Sequence, residues 1–166
     1  MNLQVVGQAL PRVDAAAKVT GVAVYADDIA LPRMLHCRIL RSPHPHARVL
    51  SVDASAARRI PGVRAVLTGQ DLPIRFGIMP VAQDERALEF EKVRYVGDPV
   101  AAVAAIDEET AAAALDAIRV EYQVLEPVTS IEAALREPAD EPSHEREYTR
   151  RPFNVHRQLA YDFGDV

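Results

Sequence analysis

The chain has no tryptophan and one cysteine, and aromatic residues make up only 5% of it. With so few rings, the interior has to be filled by Ala, Val, Leu and Ile, which suits helices lying close on sheets. The lone Cys37 excludes an intrachain disulfide and any multi-cysteine metal or iron–sulfur site within this chain. Glycines are few and scattered, at 7, 21, 62, 69, 77, 97 and 164, so no glycine-rich phosphate loop exists. There is no Gly-x-Ser-x-Gly nucleophile motif either. Basic residues are outnumbered, 19 to 24, for a net charge of -5. That balance argues against non-specific nucleic-acid binding, which needs a basic footprint. No basic cluster is interleaved with aromatics to make an RNA platform. No apolar run approaches the roughly 20 residues of a membrane-spanning helix. Met1-Asn2-Leu3-Gln4 lacks the basic-then-apolar start of a signal peptide. The expected compartment is the cytoplasm.

What is present suits one domain with a tail. A chain of 166 residues, 49% of them hydrophobic, can bury roughly 70% of its unfolded surface. Residues 1–21 carry little periodicity. Val22–Tyr25 is a short strand candidate, and Met34–Leu40 reads as a strand with Leu35, Cys37 and Ile39 on its apolar side. Ser42-Pro43-His44-Pro45-His46 ends that strand, because proline lacks the ladder donor and restrains its predecessor.

Two strand–helix–strand units follow. In the first, Arg48–Val52 is a strand, Asp53 an N-cap, Ala54–Ile60 a helix and Val63–Leu67 a strand. In the second, Asp98–Ile106 is a nearly continuous apolar strand. Asp107 caps the next helix, and Glu108 and Glu109 sit in its first turn, where the helix dipole favours carboxylates. Ala111, Ala114, Leu115 and Ile118 form its apolar stripe. Arg119–Leu125 returns as a strand. The fold class is therefore α+β or α/β. Between the units runs a long loop, 70–95, of the kind that is usually functional or interface-forming. Thr129 and Glu132 have capping-box spacing and open a helix to about Arg136. Residues 1–137 make the domain, 138–154 a polar linker, and 155–166 the first strand of a further domain.

Candidate chemistry is sparse. His44 and His46 make a His-x-His pair that would bind zinc only if other ligands converged, and otherwise form a rigid turn. His36 and Cys37 are strand neighbours pointing to opposite faces, so they do not make a nucleophile pair, and Cys37 is expected to be a buried structural thiol. Asp27-Asp28 and Asp84-Glu85 are candidate acid/base or Mg²⁺ ligands, with loop solvation or capping as the plain alternative. Tyr95, Gly97 and Asp98, in the string Arg94-Tyr95-Val96-Gly97-Asp98-Pro99, are candidates for contact with a neighbouring domain. Gly97 allows a backbone conformation that a side chain forbids.

Several strings taken in order carry a family resemblance: Pro11-Arg12-Val13-Asp14, Lys18-Val19-Thr20-Gly21, Tyr25-Ala26-Asp27-Asp28-Ile29, Leu40-Arg41-Ser42-Pro43-His44, His46-Ala47-Arg48-Val49, Ile60-Pro61-Gly62-Val63 and Tyr95-Val96-Gly97-Asp98-Pro99-Val100-Ala101. From about Gly7 to Leu135 the chain resembles the N-terminal α/β-hammerhead domain of xanthine dehydrogenase, aldehyde oxidase and carbon monoxide dehydrogenase large subunits. Phe163-Gly164-Asp165-Val166 resembles the entry into the molybdopterin-binding domain. Met79 to Glu85 with Lys92 to Pro99 resembles the 4-hydroxybenzoyl-CoA reductase large subunit most.

The resemblance implies molybdenum held by molybdopterin cytosine dinucleotide, two-iron–two-sulfur clusters and FAD in the full enzyme. It also implies iron–sulfur and FAD subunits as partners, and hydroxylation or reductive dehydroxylation of an aromatic or heteroaromatic substrate. The cofactor contacts and the catalytic glutamate lie downstream, so this chain is expected to bind no cofactor or metal itself and to have no catalytic residue. The resemblance also places Phe76, Ile78 and Met79 near the mouth of the substrate channel, against the plainer possibility of packing beneath the loop. Two rival readings remain at this point. One is a free-standing binding or assembly module. The other is a small metal-dependent enzyme using His44, His46 and Asp27-Asp28.

Overall fold

A computed structural model describes residues 5–78, 83–135 and 161–164. The chain divides into two units, Met1–Met34 and Leu35–Val166.

The described part of the first unit has one short helix, α1 (Ala15–Val19), and a 3-10 turn, Ala26–Asp28. Asp14 anchors α1 by ion pairs to Arg12 and Lys18, and the Thr20 hydroxyl donates to the Ala16 carbonyl at its end. The Asp28 carboxylate accepts from the Tyr25 amide and closes the 3-10 turn. Val22–Tyr25, expected as a strand, forms none. No described residue of this unit is buried. Val13, Val19, Val22 and Val24 all stand in the open.

The second unit holds β1 (His36–Arg41), β2 (Ala47–Asp53), α2 (Ser55–Arg58), β3 (Val63–Thr68), β4 (Arg75–Phe76), β5 (Glu85–Arg86), β6 (Lys92–Val93), β7 (Pro99–Ala105), α3 (Glu108–Asp116), β8 (Arg119–Val124) and α4 (Ile131–Leu135). Its three sheets run β1-β7-β3, β6-β2-β8 and β4-β5. Every pairing is antiparallel, so the class is α+β. The two strand–helix–strand units are present as β2–α2–β3 and β7–α3–β8. Each sends its two strands to different sheets: β7 pairs with β3, and β8 pairs with β2. The units are thus interlocked, and neither can close its core alone.

Alanine makes the close packing possible. Ala57 of α2 and Ala114 of α3 meet Ala101, Val103 and Val66 in a core completed by Ala54 and Ile118. A second core joins Ala47, Val49 and Val93 to Val100 of β7. Val52 and Val120 pack against both cores and bind the sheets into one interior. The expected apolar stripe of α3 holds: Ala111, Ala114 and Ile118 are buried, and Leu115 packs against the core.

The caps show how local chemistry sets the element ends. Asp107 is extended and its carboxylate accepts from the Thr110 amide at 2.7 Å, as its place before an alanine-rich run predicts. In the first strand–helix–strand unit the cap moves by one residue. Ala54 precedes α2, and Asp53 instead accepts from the Ser55 amide at 2.9 Å in an Asx turn. At α4 the capping oxygen belongs to Ser130, which accepts from the Ala133 amide at 3.1 Å, in place of Thr129.

Cys37 requires a correction. It is exposed, not buried. The side of β1 turned to α3 carries His36, Arg38 and Leu40: Arg38 pairs with Glu108 at 3.1 Å, and Leu40 packs on the first core. Alternation therefore puts Leu35, Cys37 and Ile39 on the other face of the sheet, where Cys37 and Ile39 are exposed, as is Leu35 just before the strand. The proposed linker, 138–154, and most of the proposed final strand lie outside the described residues. Within the described 161–164 there is no strand. Among the described residues, no helix is long and apolar enough to cross a membrane.

Gly69 marks the tightest backbone approach. A Cβ there would lie 2.8 Å from the Phe90 Cβ and closer still to the Leu88 carbonyl oxygen. Gly69→Ala is expected to lower stability by about 1–3 kcal/mol through overpacking, measured as a lower urea midpoint with an unchanged slope.

Candidate functional site

The long loop between the units folds around a cavity of about 460 Å³ lined by Phe76, Glu85, Arg86, Ala87, Glu89, Arg94, Tyr95, Asp98 and Pro99. Its frame is backbone. The amide of Glu89 donates to the Pro99 carbonyl at 2.7 Å, which ties the loop to the start of β7. The amide of Ser42 donates to the Asp98 carbonyl, and the amide of Gly97 donates to the Ser42 carbonyl, both at 2.8 Å. Gly97 has φ +96, a conformation that L side chains resist, and its carbonyl accepts from the Arg41 guanidinium at 2.8 Å. Asp98 turns its carboxylate back onto the Arg94 amide at 2.9 Å. Residues 94–98 are therefore a tight turn, held at both ends and pinned to the segment after β1.

Charge fills the wall of this cavity. Glu89 is buried, and its two carboxylate oxygens go to two arginines: Oε1 accepts from Arg94 at 2.8 Å and Oε2 from Arg86 at 3.2 Å. Arg86 reaches on to Glu91 at 2.7 Å and stacks on the Phe90 ring, 4.7 Å from its centroid. Arg94 also meets Asp84 at 3.4 Å. The Arg86 Nε is buried and has no hydrogen-bond partner among the described residues. Withdrawal from water raises the carboxyls of both Glu89 and Asp98 above their ordinary range. Arg94 opposes this rise at Glu89. At Asp98 the Arg94 amide and the Tyr95 hydroxyl oppose it. Burial and the nearby Asp98 push the Tyr95 phenol up.

The structure brings four of the sequence-predicted residues, Phe76, Glu85, Tyr95 and Asp98, to this one cavity. Gly97 stands in the adjoining turn. Ile78 is 95% exposed and is not part of the wall, and Met79 lies outside the described residues. Asp84, a solvated loop residue or a metal ligand by its sequence, is instead buried in an ion pair. Arg86, Glu89 and Arg94 join the site from outside the sequence-predicted set. The signal for them is a dense alternation of both charge signs, 84–94, interrupted by Leu88, Phe90 and Val93. Charges so close to apolar residues are drawn inward and must pair there.

His44 and His46 are engaged elsewhere. His44 meets the Tyr122 ring edge-on at 5.0 Å. His46 is buried with Nδ1 3.1 Å from the Glu126 carbonyl oxygen, so that nitrogen carries the proton. Among the described residues, no group of three or more His, Cys, Asp or Glu is placed to hold a metal ion. A molybdenum–molybdopterin group is not fitted by these side chains. The buried arginines are already engaged by carboxylates, and the one thiol stands on the outer face of β1.

Two expectations follow for this cluster. Glu89→Gln leaves two buried guanidinium groups without their shared anion and should cost about 3 kcal/mol or more, read from urea unfolding at neutral pH. For Asp98, the folded-state pKa lies above the unfolded one. Its contribution is therefore fully present below the unfolded value and is lost as pH rises through the folded value. The stability of the wild-type chain relative to Asp98→Asn should accordingly fall as pH rises across the carboxylate range. A difference that instead rises with pH would show an Asp98 carboxyl held below its usual value.

Comparison with known proteins matches this architecture. The family described as "Aldehyde oxidase and xanthine dehydrogenase, a/b hammerhead domain" fits residues 20–126. The nicotinate dehydrogenase large molybdopterin subunit of Eubacterium barkeri is 41% identical over 99% of this chain and 37% of its own length. A probable xanthine dehydrogenase subunit of Bacillus subtilis is 45% identical over 93% of this chain and 20% of its own length. Among solved structures, quinoline 2-oxidoreductase from Pseudomonas putida 86 superposes with TM-score 0.72 and 37% identity, covering 80% of this chain and 18% of that one. Aldehyde oxidoreductase from Desulfovibrio gigas superposes with TM-score 0.72 and 34% identity, covering 79% and 16%. The chain thus spans well under half the length of these relatives. It belongs to the aldehyde oxidase and xanthine dehydrogenase family and carries that family's hammerhead domain.

Proposed function

We propose that this chain is the hammerhead part of the molybdenum-binding large subunit of an oxidoreductase that hydroxylates a nitrogen heteroaromatic compound. One observation carries the reading: the match to the nicotinate dehydrogenase large molybdopterin subunit extends over 99% of the chain, well past the hammerhead segment. The names of the relatives favour nicotinate-, xanthine- or quinoline-like substrates over 4-hydroxybenzoyl-CoA. In this reading the molybdopterin cytosine dinucleotide sits in the rest of the subunit. Iron–sulfur clusters and FAD sit in partner subunits, the assembly is cytoplasmic, and this chain supplies no catalytic group. The saturated hydrogen bonding of Glu89 supports the last point, because both of its oxygens are engaged by arginines.

The loop has a positional role in this proposal. Phe76 and Ile78 face the substrate's route, while Tyr95, Gly97 and Asp98 hold the turn against a neighbouring domain. The exposure of Phe76 and Ile78 supports this: large apolar side chains standing free on a loop gain by being covered.

The test is affinity purification of the tagged chain from its native extract, with molybdenum and iron analysis and an assay with nicotinate, xanthine and quinoline against an artificial electron acceptor. Molybdenum, iron and turnover of one such compound are expected. Recovery of the bare, metal-free chain would sink the reading. In the active assembly, Phe76→Ala should raise KM several-fold and leave kcat nearly unchanged, and unchanged values of both would remove Phe76 from the substrate's route.

A further inference from the structure

The sheet β1-β7-β3 is finished on one face only. On its inner face, Ala101, Val103 and Val66 are buried in the core that Ala57 of α2 and Ala114 of α3 complete. On its outer face the register sets two rows across the three strands: Cys37–Ala104–Ala65, and Ile39–Ala102–Leu67. Cross-strand partners share a face, and none of these six side chains is charged. Cys37, Ile39, Ala65 and Leu67 are exposed, and Ala102 and Ala104 are half-buried. Ile39 is 42% exposed and Leu67 40%. Ala102, between Ile39 and Leu67, and Ala104, between Cys37 and Ala65, floor a shallow trough whose raised sides are Ile39 and Leu67.

This face is continuous with the domain's own interior. Val100 lies on the same side of β7, two residues before Ala102, and is fully buried against Ala47, Val49 and Val93. One apolar surface thus starts inside the second core and runs out uncovered by any described residue. The sequence of β7, Pro-Val-Ala-Ala-Val-Ala-Ala, is that of a strand covered on both sides. A strand with one wet face alternates apolar with polar residues, and β7 does not.

We propose that the outer face of β1-β7-β3 is the seat of an uncharged aliphatic layer contributed by the rest of a molybdenum-enzyme large subunit. The proposal rests on the reading given under Proposed function. The occupant follows from chain length: the solved relatives hold this same fold as 16–18% of a longer chain, and the match to the nicotinate dehydrogenase relative covers only 37% of that protein. A neighbour on the same polypeptide meets this trough at high effective concentration. It has to bring apolar groups, because the rows offer no side-chain charge or hydrogen-bonding group apart from a thiol. A helix with small and aliphatic residues on its contact stripe fits a trough floored by Ala102 and Ala104.

Cys37 is the reporter. The native assembly is purified through a tag on this chain and treated with N-ethylmaleimide, with and without urea. Labelling of the Cys37 peptide is followed by mass spectrometry, and molybdenum is measured in the same sample. Labelling at least about tenfold slower in the native assembly than in urea is expected, as for a group reached only by local opening. A molybdenum-containing assembly in which Cys37 labels as fast as in urea overturns the covered face and leaves the reading given under Proposed function standing. A sample with no molybdenum and no longer polypeptide overturns the reading given under Proposed function itself. Protection of Cys37 in a dimer of this chain alone puts a second copy on the face and likewise overturns the proposal. Leu67→Glu gives an independent check, since Leu67 is exposed here. The isolated chain should melt as the wild type does, while molybdenum recovered with the tagged variant falls at least several-fold. Recovery of the full molybdenum complement with this variant overturns the proposal.

Discussion

β7 is the strand on which the other elements depend. It pairs with β1 along one edge and with β3 along the other, and α3 follows directly from it. Ala101 and Val103 enter the core beneath the helices, and Val100 enters the core under the second sheet. Small side chains make this double duty possible. Where Ala101 meets Ala57 and Ala114, the helices lie close enough for an interior with no large rings to pack densely. A larger residue at those positions would lift the helices and open the contact of Val52 and Val120 that joins the two cores. The aromatic poverty of the sequence is therefore a condition of this packing.

The second constraint is electrostatic and sits where β7 begins. Glu89, Arg86, Arg94, Asp84 and Asp98 take buried positions in a loop with almost no regular structure. Backbone bonds alone would leave that loop with few restraints. The carboxylate of Glu89, shared between two guanidinium groups, adds directional ones. The cost appears as raised carboxyls at Glu89 and Asp98, and the paired arginines offset part of it. Such clusters are seldom the most stable solution for a core. What this one provides is a fixed course for the loop past Phe76 and Tyr95.

Legibility in the sequence follows the range of the interactions. Asp107, the carboxylates after it and the alanine stripe of α3 are local signals within two helical turns, and they are readable as they stand. The two strand–helix–strand units are readable too, but the exchange of their strands between sheets is not, since pairing of β7 with β3 is decided by contacts far apart in the chain. The alternation of Leu35, Cys37 and Ile39 correctly marks a shared face. It does not tell that α3 covers the opposite one, because Glu108 draws Arg38 beneath the helix end. At the loop, Tyr95, Gly97 and Asp98 are found through the special backbone needs of glycine and proline. Arg86, Glu89 and Arg94 stay hidden because a run of mixed charge ordinarily lies in water.

Buried carboxyls with raised pKa beside a cavity are also what a catalytic site looks like, so the distinction has to come from geometry. A general acid or base needs an atom free to reach the substrate. Glu89 has each oxygen held by a different arginine, and Asp98 is engaged by the Arg94 amide and the Tyr95 hydroxyl. Both features favour a structural network that shapes a loop over a network that moves protons. In the reading proposed above, such a domain contributes to a reaction by where it holds its surfaces. In that reading those surfaces are the loop wall at Phe76 and Tyr95, and the face of the β1-β7-β3 sheet that no described residue covers.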